Sequence, residues 1–187
     1  GSDLASSPAG RAFLAALSGA APPPEDLVQP EFRRSGWEET TSITERHNQP
    51  GKFTAFIGFE WTSHPNGNNL HRVVVFRDAK DKAQQIVPIS RDDTMDPEKL
   101  WEWMAAYENK TGGRILAIPH NGNLSNGLMF DDVTLTTKEP IDRDYATRRM
   151  RWEPIYEVTQ SKGDGEAHPA LSLNDEFSDF ETWDKGS

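Results

Sequence analysis

The sequence predicts an α/β fold, because helices and strands alternate along the second half of the chain. An apolar stripe at helical spacing predicts a helix over residues 96–111, and "RILAIP" at 114–119 follows it as a buried strand. A second helix over 141–152 is followed by the strand "PIYEVT" at 154–159. The stripe of the first helix consists of Leu100, Trp103, Met104 and Tyr107. Since helices between successive strands usually cross over a sheet, this alternation predicts a layered α/β fold with parallel strands.

The composition indicates one folded domain with long polar segments. The chain has 187 residues, of which 35% are hydrophobic, and its six Trp and nine Phe residues can build a core. The net charge of −10 disfavours binding to nucleic acid or to an anionic membrane surface. The sequence contains no Cys, which excludes disulfides, thiolate zinc sites and thiol catalysis. No apolar run reaches the length of about 18 residues that suggests insertion into a membrane.

The start of the chain differs in composition from the rest. We expect residues 1–50 to form a polar, partly helical N-terminal segment and residues 51–187 to form the functional domain. A short helix is predicted over 10–21 and another across 36–47. The chain opens with "GS", which is typical of a cleaved expression tag, and we therefore expect it to be part of a longer protein.

Two strands and one helix have clear local signals. "GKFTAFIGF" at 51–59 and "HRVVVF" at 71–76 are rich in residues that favour strands. Asp96 occupies the N-cap position of the helix and Pro97 its first turn, while Gly112 follows its last residue. These signals predict a strand pair followed by a well-bounded helix.

Polar side chains with metal-ligand chemistry lie where the predicted strands begin or end. The first strand ends in Glu60, the second begins at His71, and "RILAIP" is followed by His120. If the first two strands form a hairpin, Glu60 and His71 face each other at its mouth. Ligands bind at the carboxyl ends of strands in open α/β sheets, and one carboxylate with two imidazoles suits Zn, Mn or Fe. A lone His at a strand edge is more often structural or solvated, so the spacing alone leaves both interpretations open.

Two polar loops that follow strands offer candidate substrate contacts. "HNGNLSNGLMF" at 120–130 can present backbone N–H groups to an anion. "SKGDGEAHP" at 161–169 carries a cation and acid–base groups. The candidate residues in these loops are Asn121, Asn123, Lys162, Glu166 and His168. Either stretch also fits an ordinary solvated loop.

Four motifs, in this order, resemble a large bacterial family, the domain of unknown function numbered 3604. They are "FIGFEWTSHPNGNNLHRVVVFRD", "LAIPHNGNLSNGLMF", "EPIYEVTQSKGDGEAHP" and "LNDEFSDFE", and they lie within residues 51–187. The resemblance implies a relationship to the PHP (polymerase and histidinol phosphatase) metallohydrolases. It therefore implies a distorted β/α barrel, with two or three divalent ions (Zn, Mn or Fe) at the carboxyl ends of the strands.

The resemblance also implies a ligand set, part of which is missing. Glu60 in "GFEW" would bridge two ions, and His71 in "NLHR" and His120 in "IPHN" would be metal ligands. The early His-x-His pair and the final Asp-x-His of PHP-type sites have no clear equivalent in this chain. We therefore expect the chain to correspond to the middle of an incomplete barrel, which carries about half of a metal site.

The remaining matched positions imply contacts with a substrate. Glu157 in "YEVTQ" and Glu166 match the family motif as substrate-binding candidates. Lys162 and His168 match it as catalytic candidates beside Glu60. Their roles follow from the resemblance and not from spacing.

The implied function is hydrolysis of a small anionic ester, first of all a phosphate ester, by a water that metal ions activate. Sulfate-ester or amide hydrolysis at the same site is one alternative. A non-catalytic binding module or an inert fragment is another, since the ligand set is incomplete. The sequence leaves oligomerisation open, and it is compatible with a soluble protein of the bacterial cytoplasm or periplasm.

Overall fold

The structure is a computed structural model that describes residues 7–17, 21–22, 25, 29–164, 169–170, 173–176 and 178. In this part of the chain the α-helices are α1 (Pro8–Leu17), α2 (Pro30–His47), α3 (Lys80–Ala83), α4 (Pro97–Thr111) and α5 (Arg143–Trp152). The strands are β1 (Gly58–Trp61), β2 (Arg72–Phe76), β3 (Ile115–Pro119), β4 (Thr159–Gln160) and β5 (Gly163–Asp164). Short 3₁₀ helices lie at Pro65–Gly67, Gly122–Leu124 and Leu128–Phe130. The chain is thus a mixed α/β fold, as its sequence predicts.

β1, β2 and β3 form one sheet in that order, and both neighbouring pairs are antiparallel. The prediction of parallel strands is therefore wrong for this sheet. β1 and β2 do form the hairpin that the sequence interpretation considered, but Glu60 faces Val73 in it and not His71. The loop at residues 62–71 is too short for the crossover that parallel neighbours need. β3 returns along the other side of β2, so β1 and β3 run in the same direction without pairing. The described residues form an open sheet, and the β/α barrel implied by the resemblance is not seen among them.

Two predicted strands have different bounds in the structure. The ladder of the first begins only at Gly58, and before it Phe53 makes an isolated bridge with Gln49. Of the stretch predicted at 154–159, only Thr159 belongs to a strand, and that strand pairs with β5 in a separate ribbon. The rest of this stretch lies beside the end of β3, where the N–H of Glu157 donates to the carbonyl of Pro119 at 3.3 Å.

Helix α4 packs on one face of the sheet and forms the centre of the core. Its predicted N-cap is confirmed, since the Asp96 side chain accepts a hydrogen bond from the N–H of Glu98 at 2.8 Å, and Gly112 ends it in a left-handed conformation. The buried residues of α4 include Leu100, Trp101, Met104 and Tyr107. Trp101 was missing from the predicted stripe, and Trp103 is only partly buried. The buried face of α4 therefore includes Trp101 in place of Trp103, which the sequence pattern had assigned to it.

Helix α2 and helix α5 pack on the same core. Trp37 of α2 donates from its indole nitrogen to the carbonyl of Ala83 at 2.9 Å and contacts Phe59 edge-on. Trp152 of α5 belongs to the same hydrophobic cluster. Within the described ranges, no helix combines the length and apolar character that a membrane crossing requires.

Candidate metal centre

Glu60, His71 and His120 lie at one end of the sheet. Glu60 belongs to β1, His71 directly precedes β2, and His120 directly follows β3. Glu60 lies opposite Val73, and Val73 lies opposite Ile118 on the next strand. Because side chains alternate between faces, His71 and His120, each two residues from this row, project from the same face as Glu60. The backbone N–H of His120 also donates to the carbonyl of His71 at 3.3 Å. The antiparallel sheet therefore places the end of β1, the start of β2 and the end of β3 at one position.

The three side chains are close enough to share one ion. Glu60 Oε1 lies 2.9 Å from His71 Nδ1 and 3.2 Å from His120 Nε2. One ligand atom from each residue can be chosen so that all three lie within 4.8 Å of one another. Two atoms that bind one ion at about 2.1 Å lie about 3.0–3.4 Å apart in tetrahedral or octahedral geometry. The carboxylate–imidazole distances agree with that separation.

Burial favours the metal-binding form of one imidazole. The side chain of Glu60 is 48% exposed, whereas those of His71 and His120 are 19% and 13% exposed. Burial lowers the pKa of His71 below its usual value, the neighbouring His120 lowers it further, and the Glu60 carboxylate opposes both effects. His71 is therefore mainly neutral at pH 7, which is the form that binds a metal ion.

The residue after His120 is held in an unusual conformation. Asn121 has φ 53° and ψ 40°, in the left-handed region that Asn tolerates better than most residues. Its backbone N–H donates to Glu157 Oε2 at 2.9 Å, and Gln160 Nε2 in turn donates to both oxygens of Glu157. Glu157, predicted to contact a substrate, thus supports the loop that carries His120 and Asn121.

The side chain of Asn121 is itself a candidate contact. It is 1% exposed, and neither its amide nitrogen nor its amide oxygen has a hydrogen-bond partner among the described residues. Buried amides are normally paired, so an unpaired one beside a candidate site is available for a bound group. The substrate-binding role predicted for Asn121 stays a prediction.

The two polar loops predicted to contact a substrate lie against each other. Asn123 Nδ2 donates to the backbone carbonyl of Lys162 at 2.9 Å, and the Lys162 side chain is exposed. Glu166 and His168 lie outside the described residues, so their predicted roles stay predictions. The loops at 120–130 and 161–164 are therefore neighbours, as a shared site requires.

The sequence interpretation missed His64 and Arg91. The ring of His64 lies 6.0 Å from that of His71. Arg91 Nη1 lies 3.0 Å from His64 Nε2, and because a guanidinium only donates, that nitrogen of His64 must accept. The two residues are far apart in the sequence, so only the tertiary structure reveals the contact. Arg91 brings a permanent positive charge to the side of the cluster.

The donor set fits one divalent cation, with one departure from the usual pattern. A carboxylate and two imidazoles are common ligands, and their spacing is suitable. The second nitrogen of a ligand imidazole is usually hydrogen-bonded, but His120 Nδ1 is buried without a partner in the described part of the chain. The described residues contain no other group of this kind.

Comparison with known sequences identifies the family of this chain. The model of a family described as a protein of unknown function (DUF3604) matches residues 10–187. No curated protein and no solved structure matches the chain. The match begins before α2, whereas the motifs quoted above lie only within residues 51–187. The chain therefore belongs to the DUF3604 family.

Proposed function

We propose that this chain carries part of the active site of a metal-dependent hydrolase that acts on phosphate esters. The observation that carries the proposal is the convergence of Glu60, His71 and His120 from three strands. One carboxylate oxygen lies 2.9 and 3.2 Å from two imidazole nitrogens. A divalent cation bound by these groups would lower the pKa of a coordinated water and polarise the oxygens of an ester.

The residues of this chain would then bind and orient the substrate. The unpaired amide of Asn121 can donate to, or accept from, a group next to His120. Glu157 fixes the backbone of Asn121 and so maintains the direction of that amide. Lys162, on the adjoining loop, is a cation that can approach an anionic ester. His168 is proposed as an acid–base group on the resemblance alone.

A bound cation would favour an anionic substrate in spite of the overall charge. The chain has a net charge of −10, which repels anions at long range. Arg91, next to His64, is itself paired with Asp92 at 4.0 Å, so a bound cation would supply the main positive charge at the site. A phosphate ester therefore suits the site better than a neutral amide, and a sulfate ester is the nearest alternative.

The complete centre requires more ligands than the described residues provide. Three side chains leave positions open on a cation with four to six ligands. We propose that a longer natural protein supplies the other ligands, that it binds a second or third ion, and that its complete domain is a PHP-like barrel. Glu60 would then bridge two ions.

One observation favours a non-catalytic role as the second candidate. The Glu60 carboxylate contacts both imidazoles, so its own charge is satisfied without an ion. In that case the three residues would stabilise this end of the sheet, and the chain would be a binding or interaction module.

An assay on a substrate panel tests the proposal. The longer natural protein and this chain are loaded with Zn or Mn, then offered phosphate monoesters and diesters, a sulfate ester and an amide. Glu60→Gln keeps the shape of the side chain and removes its charge, whereas Glu39→Gln on the exposed side of α2 is the matched control.

We expect metal-dependent release of phosphate that Glu60→Gln abolishes and Glu39→Gln preserves. Turnover that persists in Glu60→Gln, or after complete chelation, would exclude this mechanism. Turnover of the sulfate ester alone would move the proposal to that substrate. No turnover in the longer protein with a full complement of metal would favour the binding module.

A further inference from the structure

A third imidazole lies beside the two imidazoles of the candidate metal centre. The ring centre of His64 is 6.0 Å from that of His71, and the ring centre of His71 is 5.7 Å from that of His120. His64 is thus about as near to His71 as the two candidate ligands are to each other. It is only partly buried, and its ring is not part of the group whose ligand atoms lie within 4.8 Å of one another. Distance alone therefore leaves two roles open for His64, a further metal ligand or a contact to a group that the ion binds.

Arg91 decides between these roles because it fixes the proton of the His64 ring. Arg91 Nη1 lies 3.0 Å from His64 Nε2. A guanidinium has only donors, so Nε2 accepts, and the neutral imidazole carries its proton on Nδ1. A ring nitrogen binds a metal ion only through a free lone pair. In this contact Nε2 is engaged by Arg91 and Nδ1 is protonated, so His64 is a hydrogen-bond donor and not a fourth ligand.

The two chain segments that meet in this contact are held independently. Two residues after the arginine, Asp93 accepts from Arg33 of α2 at 2.7 Å. Directly before the histidine, the buried Ser63 donates from its hydroxyl to the carbonyl of Met95 at 2.7 Å. Because each segment has its own anchor, the donor is in place before a ligand binds.

We propose that His64 donates from Nδ1–H to an oxyanion bound at the candidate metal centre, and that Arg91 is the positioning residue that keeps the proton on Nδ1. The inference rests on the proposed function, because it needs an ion that holds the oxyanion. Arg91 is paired with Asp92 at 4.0 Å, so it contributes the position of a proton rather than an uncompensated charge. A neutral imidazole suits this place, since an imidazolium would repel the cation. The oxygens of a phosphate ester, or of the phosphate released from it, are acceptors of the kind that this donor fits.

The first test determines the tautomer of His64 and requires no metal. Two-bond ¹H–¹⁵N correlation spectra of the metal-free chain show which ring nitrogen of a histidine carries the proton, and the signals absent from His64→Phe identify this residue. We expect the Nδ1–H form in the wild type and in Arg91→Lys, since lysine also only donates. Arg91→Met should shift His64 towards the Nε2–H form, whereas Arg46→Met, on the exposed surface of α2, should leave it unchanged. The Nε2–H form in the wild type, or no change in Arg91→Met, would overturn the proposal.

The second test determines what the donor binds. The wild-type chain, His64→Phe and Arg91→Met are loaded with Zn, their metal content is measured, and inorganic phosphate is titrated into each by calorimetry. We expect wild-type zinc content in both variants, and a phosphate affinity about tenfold or more lower in His64→Phe, because a hydrogen bond to a charged group is lost. Arg91→Met should weaken phosphate binding by a smaller factor, since part of its His64 population keeps the Nδ1–H form. His47→Phe, at the exposed end of α2, is the matched control.

The outcomes separate this inference from the proposed function. Equal phosphate affinity in the wild type and in His64→Phe, at equal zinc content, would overturn the role of His64 and leave the metal centre intact. A loss of zinc in His64→Phe but not in His47→Phe would show that His64 is a ligand, which also overturns the proposal. A wild-type chain that holds no zinc would contradict the metal centre itself, and with it both the proposed function and this inference.

Discussion

At the scale of single residues, Gly122 shows how closely the loop after His120 is packed. A Cβ atom at this position would lie 1.9 Å from the hydroxyl oxygen of Tyr156 and 3.1 Å from its Cζ. The Gly122 backbone also hydrogen-bonds the Tyr156 hydroxyl, which lowers the pKa of Tyr156 against the larger raising effect of burial. The aromatic residue therefore fixes the loop that presents His120 and Asn121.

Gly122→Ala should destabilise the chain by about 1–3 kcal/mol, because the added methyl group overpacks this contact. Tyr156→Phe removes the atom that the methyl group meets first, so the double variant should recover part of the loss. Gly36→Ala is the control, since nothing lies within 4 Å of a Cβ there and Ala favours the helix. Urea unfolding of the four variants measures the coupling. Strictly additive effects would contradict the contact.

The residues of the cluster were predictable because local pattern marks them. Glu60, His71 and His120 each border a run of strand-forming residues, so the strand ends could be read from the sequence. The contact between His64 and Arg91 was not predictable, because a loop and a separate segment meet only through tertiary structure. Glu157 was predicted as a substrate contact, but no sequence pattern reveals that its carboxylate holds a backbone N–H.

At the scale of elements, helix α2 is tied to the segment that carries Arg91. Arg33 forms a two-bond contact with Asp93, at 2.7 Å from Nη2 and 3.2 Å from Nη1. Arg33 Nη2 also donates to the carbonyl of Pro88 at 2.8 Å. The hydrogen bond from Arg33 lowers the pKa of Asp93, and this outweighs the raising effect of burial. The segment from 88 to 93 is thereby held against α2.

This lowered pKa predicts a stability change in acid. Asp93 is more acidic when folded, so its contribution is present above its ordinary pKa of about 3.8 and is lost as pH falls through the lower folded value. The free energy of unfolding of Asp93→Asn should therefore decrease less between pH 5 and pH 2 than that of the wild type. Asp132→Asn, at an exposed position, is the control. Equal acid dependence in Asp93→Asn and the wild type would show that the Arg33 contact has no effect.

The helices were more predictable than the sheet. The cap at Asp96 and the glycine at 112 are local signals, and α4 begins and ends where they indicate. Strand direction depends on which strands become neighbours. The alternation of helices and strands predicted parallel neighbours, whereas the neighbours in this sheet are antiparallel. β2 and β3 are separated by α3 and α4 and still pair antiparallel, because the chain returns along the sheet instead of crossing over it. The stretch at 154–158 has strand composition but is not part of a strand, and it bonds to the end of β3 through the N–H of Glu157.

At the scale of the whole molecule, Glu153 connects the sheet to two helices. Its carboxylate accepts from Arg72 of β2, Trp101 of α4 and Arg149 of α5. No sequence pattern indicates this role, because Glu153 lies just after a polar helix and its partners Arg72 and Trp101 are distant in the chain. Hydrogen bonds to this one carboxylate therefore join β2, α4 and α5 where the three elements meet.

Glu153→Ala should cost about 3–5 kcal/mol of unfolding free energy, because it leaves two guanidinium groups without their shared carboxylate. Chemical unfolding followed by tryptophan fluorescence and by circular dichroism measures the loss. Glu39→Ala, on the exposed surface of α2, should change stability by less than about 0.5 kcal/mol. A loss below about 1 kcal/mol in Glu153→Ala would mean that the network contributes little to stability.

Metal content shows whether Glu60, His71 and His120 hold a divalent ion. The wild-type chain, Glu60→Gln and Glu39→Gln are stripped by chelation, reloaded with Zn or Mn, freed of excess metal and measured by elemental analysis. We predict at least one tightly held ion per chain in the wild type and in Glu39→Gln, and a large loss in Glu60→Gln, because the carboxylate contacts both imidazoles. A wild-type chain that retains no ion, or equal metal content in Glu60→Gln, would mean that these three residues do not form a metal site.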